Sequence, residues 1–247
     1  MAAIDLNADM GEYASDAERT IEAALMPLIT SCSIACGGHA GDAGTMQTTA
    51  RLAKLHGVRI GAHPSYPDRE NFGRRSRSFD EAALLASMKM QIEQLRTVLA
   101  AESMPLTHLK PHGALYNDAA KNISLARLVA SLASGATLIG PPDSQLEAAA
   151  KEKNIAFARE GFVDRLYLAS GALSPRSEPG AVLPDIRARA QQALKIATGA
   201  EITAADGAVT VVADTLCIHS DSHGAVETAQ AVRSALKTAE IDIRPFA

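Results

Sequence analysis

Short apolar segments alternate with amphipathic stretches along the whole chain. The short segments predict seven strands, at residues 4–7, 31–35, 58–62, 107–110, 137–140, 155–159 and 215–219. Between them, apolar residues recur at three- and four-residue spacing, most clearly at Leu84, Met88 and Ile92, and this spacing predicts helices with one buried face. Because parallel strands need a crossover connection, the alternation predicts a mostly parallel sheet.

Capping residues indicate where several of these helices begin and end. Ser15, followed three residues later by Glu18, forms a capping box at the start of the first helix. Asp42 and Ser124 are placed to cap two later helices, and Gly57 is placed to end the first of these. The helical stretches therefore have local start and stop signals in addition to their apolar faces.

The series of strand–helix units favours an irregular (β/α) barrel over a doubly wound sheet. The common signatures of the doubly wound class are a glycine-rich dinucleotide loop and a P-loop, and the sequence contains neither. No linker or break in composition divides the chain. The sequence predicts an α/β fold in which residues 1–247 form a single-domain barrel of about seven parallel strands.

Composition narrows the classes of partner. Hydrophobic residues make up 47% and charged residues 21%, as in globular proteins, and the net charge of −4 disfavours a nucleic-acid partner. Three cysteines leave an odd thiol, so reduced, buried thiols are expected. No signal peptide and no apolar run of about 20 residues is visible, so a cytoplasmic protein without a membrane partner is expected.

Ionisable side chains follow most of the predicted strands. Four of the seven histidines occupy such positions, namely His39, His63, His112 and His219. Strand ends converge on one face of a barrel, so these groups are expected to meet there. Imidazoles and carboxylates that converge can relay protons or hold a divalent metal such as Mg²⁺ or Zn²⁺. The alternative, that each is an ordinary loop residue, is disfavoured by the recurrence at four strand ends.

Cationic side chains near the same strand ends suit an anionic ligand. Lys110 ends a strand among apolar neighbours, where it could activate a carbonyl, bind phosphate or form a structural ion pair. Arg74 and Arg75 belong to a long polar loop, and their guanidinium groups could bind a carboxylate or phosphate or be solvated. His219 and His223 are four residues apart, but a metal pair is disfavoured because they need not share a face.

An ordered set of motifs runs from residue 4 to the last helix. The set comprises DLNAD at 5–9, IACGGHAGD at 34–42, GAHP at 61–64, FGRR at 72–75, KPHGALYN at 110–117 and CIH at 217–219. Taken together, these motifs resemble the family of A subunits of 5-oxoprolinase, also called the LamB/YcsF family. The resemblance implies a barrel of the glycoside hydrolase/deacetylase-like superfamily. It also implies cleavage of 5-oxo-L-proline to L-glutamate coupled to hydrolysis of ATP to ADP and phosphate.

The resemblance extends to cofactor, partners and site residues. ATP is the expected cofactor, bound here or by the partners, and two further subunits, B and C, are the expected partners. The residues expected to be catalytic are Asp9, His39, His63, Lys110 and His112. A divalent metal, if present, is expected to be held by Asp9, His39, His63 and His112. The residues expected to bind or orient the substrate are Asn7, Glu12, Asp42, Arg74, Arg75, Tyr116, Asn117, His219 and Asp221.

Two other functions stay open at this point. A metal-dependent amidohydrolase or deacetylase acting alone would bind a divalent ion tightly and turn over without ATP. A non-catalytic lactam-binding module would bind ligand without turnover, but binding pockets are mostly apolar, and the many ionisable groups disfavour it.

Overall fold

The computed structural model describes residues 2–176 and 178–246, and its strands form a closed parallel barrel. Within those residues there are ten strands: β1 (Ala3–Met10), β2 (Ser31–Ala35), β3 (Arg59–His63), β4 (His108–Leu109), β5 (Thr137–Gly140), β6 (Phe157–Phe162), β7 (Glu201–Ala204), β8 (Gly207–Thr210), β9 (Thr215–Cys217) and β10 (Asp242–Ile243). Seven of them follow one another in the order β1-β2-β3-β4-β5-β6-β9, all parallel, and β9 pairs with β1 to close the barrel. The prediction of about seven parallel strands is confirmed.

Helices connect the barrel strands. Those of the described residues are α1 (Asp16–Leu25), α2 (Ala43–His56), α3 (Glu81–Ala101), α4 (Gly113–Ala119), α5 (Ile123–Ala130), α6 (Gln145–Glu152), α7 (Ile186–Thr198) and α8 (Ala225–Thr238), with a 3₁₀ turn at Met26–Leu28. One large apolar core fills the space between this helical layer and the outer faces of the strands.

Most of the predicted helix ends are confirmed, and one is wrong. The Ser15 capping box is complete, Asp42 caps α2, and Gly57 ends that helix with a left-handed backbone at φ 67°. Ser124, in contrast, does not cap α5. The side chain of Asn122 accepts hydrogen bonds from the backbone of Ser124 and of the residue after it, so α5 begins earlier than predicted.

Four elements lie where the hydrophobic pattern gives no clear signal. Helix α4 begins after three residues that follow β4, and its seven residues, GALYNDA, are too few to show a helical repeat. Strands β7 and β8 form an antiparallel hairpin outside the barrel, and β10 pairs with the first residues of β1. These segments are short, and tertiary contacts rather than periodicity determine their conformation.

Side chains of β1 alternate between the apolar layer and a polar barrel interior. Asp5, Asn7 and Asp9 are buried on the interior side, as the two-residue repeat of a strand requires. Asp5 accepts hydrogen bonds from the hydroxyls of Thr30 and Ser31, each at 2.7 Å. Burial raises the pKa of Asp5, and these hydroxyls oppose the shift. The lower barrel is therefore a satisfied polar core beneath the candidate site.

The absence of a side chain at Gly61 leaves space in the barrel interior for the ring of His108. The His108 ring lies against Gly61 on the neighbouring strand, and a Cβ at Gly61 would sit 2.1 Å from the ring. His108 is completely buried and contacts the hydroxyls of Ser33 at 3.3 Å and Thr107 at 2.9 Å. Burial lowers its pKa to about 3, so it is neutral in the folded protein. These contacts indicate that His108 has a structural role.

Cys32, Cys36 and Cys217 are buried free thiols, as expected for a reduced protein. Across residues 2–176 and 178–246, no helix combines the length and the apolar composition that a membrane crossing requires.

Candidate active site

A cleft of about 360 Å³ opens at the carboxyl ends of the barrel strands. Residues from the ends of β1, β3, β4, β6 and β9 line it, together with two loops. The side chains that line it include Asp9, Glu12, His63, Arg74, Lys110, His112, Tyr116, Asn117, Phe162, Arg165, Arg176, His219 and Asp221. The sequence prediction that strand-end groups converge on one face is confirmed for most of these.

Three imidazoles surround one carboxylate oxygen, and two of them, His63 and His112, line the cleft. Glu12 Oε1 lies 2.7 Å from His39 Nε2, 3.2 Å from His112 Nδ1 and 3.7 Å from His63 Nε2. The rings of His39 and His112 stack with centroids 3.6 Å apart, and His63 Nε2 lies 3.0 Å from His112 Nδ1. The side chains of this cluster are almost completely buried.

Backbone carbonyls determine which ring nitrogens carry hydrogen. His63 Nδ1 donates to the carbonyl of Lys110 at 2.7 Å, and His112 Nε2 donates to the carbonyl of Phe72 at 2.9 Å. In the neutral rings, the facing nitrogens of His63 and His112 then both carry lone pairs. Two lone pairs 3.0 Å apart repel unless a proton or a cation lies between them.

The cluster therefore fits a divalent metal. Glu12, His39, His63 and His112 can each offer one ligand atom, and these atoms lie within 4.8 Å of one another. The outward N–H groups of two of the rings are held by backbone carbonyls, an arrangement common around ligating histidines. Three nitrogens and one oxygen suit Zn²⁺ better than Mg²⁺, which prefers oxygen ligands. Glu12 occupies the place in this group that the sequence assigned to Asp9.

Asp9 instead joins the histidines to a buried lysine. Its carboxylate lies 3.3 Å from His63 Nε2 and 2.9 Å from Lys110 Nζ. Burial opposes ionisation, but the charges of His63 and Lys110 hold the pKa of Asp9 well below its usual value. Burial likewise opposes a charge on His63, but Asp9 and then Glu12 raise its pKa. Asp9 is thus an ionised carboxylate next to the imidazoles.

Lys110 is surrounded by acceptors at the base of the cleft. Besides Asp9, Nζ lies 2.6 Å from Glu160, 3.1 Å from Asn7 Oδ1 and 3.3 Å from Cys217 Sγ. Burial disfavours the ammonium form, but the carboxylates outweigh it and raise the pKa of Lys110 well above its usual value. Lys110 is therefore a fixed cation, and it cannot serve as a base near neutral pH.

A second histidine–carboxylate pair lies on the far side of the cleft. His219 Nδ1 donates to Asp164 Oδ1 at 2.8 Å, and Ser222 donates to the other oxygen at 2.7 Å. The His219 ring stacks on Phe162 with centroids 5.5 Å apart. Burial opposes the charge of Asp164, but its pKa is lowered by His219 and Ser222. Because Nδ1 is engaged by Asp164, Nε2 of this ring is the nitrogen available to a ligand.

Comparison with known proteins identifies the family of this chain. The model of the LamB/YcsF family matches residues 4–247. The chain belongs to the LamB/YcsF family. It is 41% identical to a Thermus thermophilus protein named as the A subunit of 5-oxoprolinase, over 98% of this chain and 99% of that protein.

Solved structures agree with the assignment. The lactam utilization protein from Thermus thermophilus superposes on this LamB/YcsF chain with a TM-score of 0.89 and 40% identity, covering 99% of this chain and 100% of that one. A family 4 carbohydrate esterase from Streptomyces lividans has a TM-score of 0.53 at 11% identity, covering 98% and 91% of the two chains. The second similarity concerns the fold alone, and it agrees with the predicted (β/α) barrel.

Not every predicted residue of this LamB/YcsF protein lines the cleft. Asn7 lies beneath it, where its amide donates to Thr215 and its oxygen accepts from Lys110. Asp42 is exposed and caps α2, so its predicted place in the site is corrected: the helix uses its carboxylate. Arg75 is exposed in the loop and does not line the cleft.

The remaining predicted residues are at the cleft wall. Tyr116 is buried, and burial and then the charge of Glu160 raise the pKa of its hydroxyl well above the usual value. Asn117 lines the cleft and donates to the carbonyl of Gly113 at 3.1 Å. Asp221 accepts from Arg74 at 2.6 Å and from Arg176 at 2.8 Å, and its pKa is about 2: burial opposes the lowering, which these arginines cause.

Glu160, Asp164, Arg165 and Arg176 were not among the residues predicted for the site of this LamB/YcsF protein. Glu160 lies inside β6, and the charged pattern Glu160, Asp164, Arg165 near that strand was the available signal. Arg176 comes from an irregular segment with no periodic signal, and only the folded structure brings it to Asp221.

Proposed function

We propose that this chain is the A subunit of an ATP-dependent 5-oxoprolinase, which works with subunits B and C to open 5-oxo-L-proline to L-glutamate. The main support for the proposal is the cleft. It brings together an ionised carboxylate, a charged lysine, a cluster of histidines and a separate histidine–carboxylate pair. The relationship to a protein named as the A subunit of 5-oxoprolinase supplies the substrate.

The chemistry accounts for the coupling to ATP. A five-membered lactam is a poor electrophile, so transfer of a phosphoryl group from ATP to its oxygen activates the ring carbon and releases ADP. Water then adds to that carbon, the C–N bond breaks and the nitrogen takes a proton. A second water releases phosphate and leaves glutamate. The chain contains no P-loop sequence, so we assign the phosphorylation step to the assembled complex.

Different residues of the cleft serve different steps of this reaction. Asp9, bonded to Lys110, accepts the proton of the attacking water. His219, held by Asp164, gives a proton to the departing ring nitrogen. Lys110 stabilises the negative charge of the phosphoryl group on the carbonyl oxygen. A divalent ion held by Glu12, His39, His63 and His112 would lower the pKa of a bound water and polarise the carbonyl.

Glutamate release from 5-oxoproline, ATP and magnesium tests the function. We expect glutamate only when the chain is combined with subunits B and C. His219→Asn should lower kcat by about 100-fold or more, since it removes a proton donor. His56→Asn is the matched control, because His56 is exposed at the end of α2.

Two results would contradict the proposal. Partners that are active with a related A subunit but produce no glutamate with this chain would exclude the function. Turnover of amides or acetylated sugars by the zinc-loaded chain without ATP or partners would favour the stand-alone hydrolase.

A further inference from the structure

The cleft has two walls of opposite character. Asp9 and Glu12 are on one wall with the histidines. The other wall carries the guanidinium groups of Arg74, Arg165 and Arg176. A ligand that spans the cleft therefore meets proton-transfer groups at one end and cations at the other. The anionic partner of this cationic wall is not accounted for by the chemistry of ring opening.

Carboxylates on the cationic wall are fewer than its arginines. Asp221 is shared, at 2.6 Å from Arg74 and at 2.8 and 3.1 Å from Arg176. Asp164, close by, is already bonded to His219 and Ser222. Within residues 2–176 and 178–246, Arg165 has no carboxylate within 4.0 Å. The wall keeps an excess of positive charge.

Arg165 is held rigidly although it is not neutralised. It is only 8% exposed, and its guanidinium donates to the backbone carbonyls of Ser174 at 2.6 Å and Ala181 at 3.3 Å. Its Nη1 donates to no described residue, and the side chain lines the cleft. Burial and then the charge of Arg176 lower the pKa of Arg165, and the charge of Asp164 opposes them only in part. A buried charge is normally paired, so a ligand is the missing partner.

We propose that Arg165, assisted by Arg176, binds the carboxylate of the cyclic amide substrate and so restricts the site to lactams that carry an anionic group. This inference rests on the proposed function and adds the determinant of its specificity. The planar fork of a guanidinium matches a carboxylate, and two carbonyls already fix its orientation. With the carboxylate held at this wall, the amide of a small ring lies towards the histidines.

The test compares 5-oxoproline with 5-oxoprolinamide, which has the same ring but no charge. Dissociation constants are measured by calorimetry on the assembled complex without ATP, and KM values are measured with ATP. In Arg165→Gln and Arg176→Gln, the dissociation constant and KM for 5-oxoproline should rise at least about tenfold. Affinity for the neutral amide should stay within about twofold.

Two further variants separate recognition from folding. Arg165→Lys keeps the charge but loses the planar fork of the guanidinium. Its affinity for the acid should therefore lie between those of Arg165→Gln and wild type. Arg127→Gln removes a surface guanidinium that pairs with Glu152, and it should change the affinity for neither ligand. Melting temperatures of all variants identify any that fail to fold.

Three outcomes would overturn the assignment. Equal losses for acid and amide would make Arg165 a structural residue, and no loss would exclude it. A raised KM for ATP with unchanged discrimination between acid and amide would assign the wall to a phosphate. Turnover of 5-oxoproline by the wild-type complex is recorded in the same series. A wild type without turnover would reject the proposed function, whereas an active wild type with unaffected variants would reject this inference alone.

Discussion

Buried ionisable residues in this protein are stabilised in two different ways. Lys110 is a charged group whose neighbours Asp9 and Glu160 supply the opposite charge. His108 and His39, in contrast, are kept neutral by burial, which lowers the pKa of each to about 3. Removing one partner of a buried pair leaves an uncompensated charge, which costs about 3–5 kcal/mol. Stability should therefore depend strongly on pH and on single polar substitutions.

His108→Asn tests this pH dependence. The folded pKa of about 3 lies below the ordinary value of His, so the unfolded state binds more protons between these values, and stability is lost as pH falls below about 6.5. For one such histidine, the loss from pH 7 to pH 5 is about 2 kcal/mol. Urea unfolding of His108→Asn should show a correspondingly smaller loss than wild type.

His56→Asn, an exposed substitution, should behave like wild type in the same titration. Burial raises the pKa of Glu22 to about 7, so this group contributes stability that increases as pH falls, opposite to His108. The pH response of His108→Asn is therefore compared with those of wild type and His56→Asn and is not interpreted alone. An identical pH response of His108→Asn and wild type would show that His108 is not the neutral buried group described.

The sequence predicts the positions of these residues better than their partners. Strand periodicity brings Asp9, His63 and Lys110 to one face, and the cleft contains all three. It does not determine whether Asp9 or Glu12 lies among the imidazoles, because that depends on the turn at Gly11 and on side-chain rotamers. The orientation of Arg165 also depends on backbone carbonyls from a distant, irregular segment.

At the scale of elements, helix α1 supports the loop that presents Glu12. Glu22, on the buried face of α1, accepts hydrogen bonds from the backbone of Gly11 at 2.7 Å and of Glu12 at 3.0 Å. Gly11 itself has φ 73°, a left-handed conformation that glycine adopts without strain. The capping box at Ser15 fixes the start of the same helix, so the local sequence of α1 determines where Glu12 is placed.

Glu22→Ala should weaken metal binding without touching a proposed ligand. Loss of both acceptors frees the Gly11–Glu12 backbone, and supporting residues of this kind typically affect metal affinity by about 10–100-fold. Zinc affinity measured by competition with a chelator is the readout, and Glu93→Ala on the exposed face of α3 is the control. Unchanged affinity in Glu22→Ala would contradict the positioning role.

At the scale of the molecule, the barrel is closed by strands from opposite ends of the sequence. Asp5 pairs with Thr215 and Asn7 with Cys217 across the β1–β9 contact, and β10 then adds to β1. The backbone hydrogen bonds between β1 and the strands β9 and β10 therefore require both the N-terminal and the C-terminal region. The predicted strand count needed only local pattern, but this closure depends on contacts between residues far apart in sequence.

We propose that the chain unfolds as one unit because of this closure. In guanidinium chloride, the transitions followed by far-UV and near-UV circular dichroism should coincide, as two-state unfolding requires. A separate early transition that removes part of the helical signal would contradict a single-domain barrel.

The three buried thiols make the native protein a natural background for site-directed labelling. Burial raises the pKa of Cys36 to about 12 and that of Cys217 well above its usual value, so the reactive thiolate is scarce in the folded state. A cysteine placed at Leu55, which is 75% exposed, would be alkylated in preference to all three native thiols. Fluorophores or spin labels could thus be attached around the barrel without replacing any native cysteine. The faces that become protected when the proposed partner subunits are added would show where those subunits bind.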